Sequence, residues 1–258
     1  MIDAHAVVAH LEKLGDLKAG SPAGNVSQTA WLDGELQQTA LQHDRDGAGN
    51  VWLTLPGSDA RSVVLGTYLE GSAGSDPLDT HLGMVASLET LKAIARRADG
   101  PLPCTLHVAV WAQPAAANQA AALRERNAAA YLELHAEPSA DLQAQEPALG
   151  MASATDALPF HPRLTTLGDE AVQEMTGASA TATVANAQGA AELARLGIPA
   201  AVMYVQSPAK AGGQKTAGER VHLLQAAEAF GRWTESTLHL LAGDPVDLWA
   251  REHRVPRT

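Results

Sequence analysis

The feature that most limits how this chain can fold is a pair of near-continuous apolar runs, residues 62–69 and 106–111. Successive side chains of a strand point to opposite faces, so an unbroken apolar run reads as a strand covered on both sides. Between the two runs, residues 82–95 carry Met84, Leu88, Leu91 and Ala95 on one helical stripe. The alternation continues with an alanine-rich helix over 115–130, a strand over 130–135, helices near 168–175 and over 183–196, a strand over 200–205 and a long helix over 219–241. Strands alternating with helices predict an α/β fold: a three-layer sandwich with a mixed, mostly parallel sheet between helices.

Upstream, Val7, Val8, Leu11 and Leu14 predict a helix over 2–14 that Gly20-Ser21-Pro22 breaks, and a second helix runs over 28–43. Asp46-Gly47-Ala48-Gly49-Asn50 reads as a turn into a strand over 51–55. Residues 137–167, with Pro138, Pro147, Pro159 and Pro162, form the least regular stretch. The expected organisation is one domain over 1–243 and a loosely held tail over 244–258. An aromatic content of 4% points to a core of small aliphatics on helices.

Lys and Arg number 18 against 29 Asp and Glu, a formal charge of −11. That excess repels phosphate backbones and anionic headgroups, which argues against nucleic-acid and membrane partners. No apolar run approaches the roughly 20 residues that span a bilayer, and the first residues carry no cationic stretch, so a soluble cytoplasmic protein is expected. Cys104 is the sole cysteine, which excludes an internal disulfide and a cysteine-based zinc cluster.

Chemistry in open α/β sheets gathers at the carboxyl ends of strands. The string Tyr131-Leu-Glu-Leu-His135-Ala-Glu137 falls at one such end, and Gly66-Thr67-Tyr68-Leu69-Glu70 at another, followed by Asp76, Asp79 and His81. These segments resemble the metal-dependent amidohydrolases that include N-carbamoyl-L-amino-acid hydrolase, beta-ureidopropionase and allantoate amidohydrolase. The first string is similar to that family's Y-L-E-L-H-I-E-Q-G. Residues 66–84 follow its G-S-H-L-D-T…F-D-G-x-L-G-V spacing. Val26-Ser27-Gln28, Asp46-Gly47-Ala48-Gly49-Asn50, Thr176-Gly177-Ala178 and residues 198–204 resemble further family segments in the same order.

The resemblance implies a zinc-exopeptidase-like core and a dinuclear metal site. Carried over residue by residue, the bridging aspartate falls on Asp79 and the E-L-H histidine on His135. The first histidine ligand falls on Tyr68 and the aspartate that steadies it on Glu70. The family's general base and the metal ligand beside it fall on Pro114 and Ala115, and its last histidine on Ala180. Proline and alanine side chains neither coordinate nor titrate. The family's lid domain would lie between Glu137 and Met175, an interval too short to hold one.

The expectation is therefore a pseudoenzyme with a degenerate metal site, no confident catalytic residue and no bound cofactor. It would act as a binding or scaffold subunit, as a homo-oligomer, beside an active relative, or with a small molecule in the old cleft. Asp79 and His135 read as leftovers hydrogen-bonded in a polar cleft, and His81 as a solvated loop residue. The alternative is a zinc- or manganese-dependent hydrolase of C–N bonds rebuilt on Glu70, Asp79, His81 and His135. Glu133 is expected to pair with a neighbouring helix. The remaining histidines (5, 10, 43, 107, 161, 222, 239 and 253) are expected at the surface or an interface, and Ser179 lacks a nucleophile elbow.

Overall fold

The computed structural model describes residues 2–20, 24–68, 77–113, 115–138, 148–152, 160–177, 180–182, 188–207 and 217–243. In chain order these form α1 (Ala4–Gly20), α2 (Gly24–Gln37), β1 (Gln42–Arg45), β2 (Val51–Leu55), β3 (Gly57–Tyr68), α3 (Pro77–Arg97), β4 (Leu102–Trp111) and α4 (Ala116–Glu125). There follow β5 (Ala128–Pro138), β6 (Ala148–Ala152), α5 (Pro162–Thr176), β7 (Ala180–Ala182), α6 (Gln188–Arg195), β8 (Ala200–Ser207) and α7 (Ala217–Gly243). The strands form one sheet in the order β1-β2-β4-β3-β5-β8-β6-β7. Its centre, β4-β3-β5-β8, is parallel, and β1, β2 and β6 join antiparallel.

The apolar runs become the central strands because both of their faces are covered. Val63 and Leu65 face a core layer supplied by α1, α2, α3, α5 and α7, while Val64 faces a second layer supplied by α4 and α6. The architecture is the α/β sandwich expected. The aromatic residues, few as they are, hold its centre: Trp52, Trp111, Tyr131 and Tyr204 project from the sheet onto Ala120, Ala190, Ala191 and Ala194 of the two helices. Small helix residues let the helices approach the sheet closely, and the large side chains come from the strands.

Several boundaries differ from the sequence reading. Residues 42–45 form an edge strand, not the end of a helix; all four are exposed, and they pair antiparallel with β2, with Asp44 and Arg45 adding ion pairs to Arg126 and Asp33. The α4 helix stops at Arg126 because Asn127 takes a left-handed φ of 55°, and β5 begins at once. The stretch over 137–167 contains β6, and Ala180 opens the short strand β7. The α3 helix begins at Pro77, so Asp79 and His81 are helical. Residues 139–147 separate β5 from β6, and 153–161 separate β6 from α5, too little chain for an inserted domain.

The turn before β2 is organised by Asp46. Its carboxylate accepts from the backbone N–H groups of Ala48 and Asn50 (both 3.0 Å), the Asn50 side-chain amide (2.8 Å) and the Trp52 indole (3.0 Å). Asn50 in turn accepts from Ala112 N–H at 3.0 Å, which fixes the end of β4. Burial opposes the charge on Asp46, but these hydrogen bonds outweigh it and hold the carboxyl below its ordinary range. His107 is buried on β4, contrary to expectation, with Thr54 Oγ1 3.0 Å from its Nδ1. His161 is buried as well.

Two outcomes follow for stability. Asp46→Ala strands the buried Trp52 N–H and should cost about 2–4 kcal/mol in urea unfolding. Burial first, and the nearby Arg126 second, push the His107 imidazole down to about 4. Between that value and its ordinary one the unfolded chain binds the proton and the folded chain does not, so stability falls as pH drops through this window. The loss should reach about 2 kcal/mol from pH 7 to pH 5. His107→Gln should flatten that slope, and an unchanged slope would contradict the assignment.

Candidate functional site

The strand order reverses around β3: the chain crosses from β3 to β4 on one face, then returns to β5 on the other side of β3. Ligands in open sheets bind at the carboxyl ends of strands beside such a reversal. Here that end carries Tyr68 on β3 and His135 on β5, with Trp111 paired to Tyr68 and Tyr204 paired to His135 in the ladder.

Alternation along β5 puts Tyr131, Glu133 and His135 on one face. Glu133 is 1% exposed, and both of its oxygens are engaged. Tyr131 donates its hydroxyl to Oε2 at 3.0 Å, and His135 Nε2 lies 2.6 Å from Oε1. The Tyr131 hydroxyl accepts from the Trp111 indole at 3.1 Å. Gln119 of α4 donates to Tyr68 at 3.4 Å. Donors thus reach Glu133 from Trp111 through Tyr131, Gln119 donates separately to the Tyr68 hydroxyl, and His135 meets the carboxylate from the other side. Glu133 pairs within its own strand, which corrects the expected salt bridge to a helix.

Two glycines make this packing possible. A methyl at Gly66 would land on the Tyr131 phenol, which lies across β3. A methyl at Gly189 of α6 would sit 2.8 Å from the Tyr68 hydroxyl. Burial, reinforced by the Glu133 charge, raises the Tyr68 phenol well above its ordinary range. Tyr131 is raised by the same two causes, burial first. Both phenols therefore stay protonated at any ordinary pH.

The other site residues are distributed as follows. Asp79 lies in the first turn of α3, one turn before Gly83. Gly83 lies against β5 so closely that a methyl there would meet the Leu134 carbonyl at 2.5 Å. The start of α3 therefore crosses the site end of the sheet, while the side chain of Asp79 lies outside the described residues. His81 lies two residues from Gly83, near the opposite side of the helix; it is fully buried, and its Nε2 is 3.1 Å from the Gln28 amide nitrogen of α2. Glu70, Asp76, Pro114 and Ser179 fall outside the described residues.

A metal pair is what the resemblance implies, and the donor set does not fit one. Tyr68 offers a protonated phenol already bonded to Gln119. Ala115 and Ala180 offer no donor. His135 is held at Nε2 by Glu133. Among the described residues no three His, Cys, Asp or Glu side chains converge as a metal site would need. The sequence reading did not single out Tyr131, Gln119, Trp111 or Gly189. The alternation Tyr131-x-Glu133-x-His135 was a visible signal for a shared polar face, but Gln119 and Gly189 come from helices that only the fold brings there.

No protein-family model matches the chain, and no curated protein matches it in sequence. Solved structures do. An amidase of the hydantoinase/carbamoylase family from Burkholderia phymatum superposes with a TM-score of 0.69 at 15% identity, covering 93% of this chain and 99% of that one. AtUAH, solved in complex with (S)-hydroxyglycine, gives 0.67 at 12% identity over 95% of this chain and 99% of that one. The Legionella pneumophila LapA aminopeptidase gives 0.67 at 13% identity over 91% and 70%. At these identities the likeness establishes a shared fold: this chain has the α/β core of hydantoinase/carbamoylase amidases and zinc aminopeptidases.

Proposed function

We propose that this chain is a non-catalytic relative of the metal-dependent amidohydrolases, a pseudoenzyme that keeps the fold for a binding or scaffold role. The observation that carries the reading is Tyr68: a protonated phenol, bonded to Gln119, stands where the resemblance asks for a histidine ligand. Ala115 and Ala180 add two further positions without lone pairs. A catalytic zinc usually has three protein ligands, and Asp79 with His135 supplies two. The position of the general base, Pro114, carries no titratable group, a loss of roughly 100- to 10,000-fold in rate by itself.

The interval that would carry a lid is short, which leaves the cleft mouth and sheet edge open to a second copy, an active relative or a small molecule. No helix among the described residues is long and apolar enough to cross a membrane, and we place the protein in the cytoplasm. One observation favours a remodelled zinc or manganese hydrolase instead: a carboxylate 2.6 Å from the imidazole of His135 is how enzymes orient a ligand or a base. That alternative would draw on Glu70, Asp79, His81 and His135.

Purified protein incubated with N-carbamoyl amino acids, allantoate and dipeptides under excess zinc or manganese should release product no faster than buffer. Turnover that a chelator abolishes would overturn the reading in favour of the hydrolase. A ureido acid or dipeptide that fills the cleft should raise the melting temperature, because it binds only the folded state.

A further inference from the structure

The position of Tyr68 has a second consequence, which rests on the non-catalytic reading and deepens it. Its phenol does not extend off the end of β3. It turns into the layer between the sheet and α4 and α6, where its hydroxyl accepts from Gln119 and faces the open side of Gly189. Gln119 is 2% exposed, so the hydroxyl of the half-buried Tyr68 is held by a buried donor from α4. We infer that Tyr68 replaces a metal centre as a strut: through its hydroxyl it ties α4 to β3 and seats against α6, and so holds this end of the sheet together without a cation.

The seat at Gly189 is specific to one atom. A methyl there would approach the Tyr68 hydroxyl oxygen to 2.8 Å, while the ring carbon behind it stays at 3.9 Å, an ordinary van der Waals contact. The glycine is required by the hydroxyl and not by the ring. Elsewhere in a helix alanine is favoured over glycine. The strut therefore predicts that one substitution changes sign with the residue at position 68.

The test is thermal unfolding of four forms: the native chain, Gly189→Ala, Tyr68→Phe and the double variant. Gly189→Ala should lower Tm by about 2–4 °C in the native background and hold or raise it in the Tyr68→Phe background. If Gly189→Ala alone fails to fold, recovery of folding in the double variant carries the same meaning. A shift of the same sign and size in both backgrounds overturns the strut. Dialysis against EDTA and addition of zinc form the second arm. Tm should be unchanged by either, and a zinc-dependent rise abolished by His135→Ala would show that a cation does the tying. Chelator-sensitive turnover together with the sign reversal would sink the non-catalytic reading and leave the strut standing.

Discussion

A carboxylate sealed inside a parallel sheet is the constraint from which the rest of this site follows. Glu133 is flanked by β3 and β8 and is 1% exposed. A charge so placed is tolerated only when its oxygens are hydrogen-bonded. Tyr131 and His135 supply those bonds from the same strand face. For Tyr131 to reach, β3 must carry glycine at 66, because the phenol occupies the space of a side chain there. The Tyr131 oxygen then needs a donor, and Trp111 provides it. Satisfying one buried group thus fixes residues on three strands.

The donor set explains why this end of the sheet fits a metal pair poorly. Ala115 and Ala180 carry no donor, and Tyr68 offers a phenol. A histidine at that position would leave an unsaturated nitrogen near the strand end, whereas the phenol carries its oxygen back toward α6. The fold shared with amidases and aminopeptidases survives because the two apolar layers, not the polar end, hold the sheet.

How much of this the sequence disclosed depends on where each residue finds its partners. The central strands were legible because unbroken apolar runs have one stable environment, and the mostly parallel sheet was legible through the alternation with helices. The edge strand over 42–45 was not, since every one of its residues is exposed and it joins the sheet by antiparallel pairing with β2. The early end of α4 was hidden in the φ of Asn127. Apolar spacing alone starts the helix at residue 82 and leaves Asp79 and His81 in a loop, whereas the turn from Pro77 rotates His81 toward Gln28. The Glu133 pairings were half legible: the two-residue spacing was plain, but burial made the strand neighbours, not a helix, its partners.

The most direct test of the central claim is a competitive zinc titration of the metal-stripped protein against a chromophoric chelator. The account predicts binding no tighter than an exposed histidine gives, with no saturating stoichiometry and no change on Asp79→Ala. Two ions per chain bound tightly, and released by Asp79→Ala or His135→Ala, would contradict it.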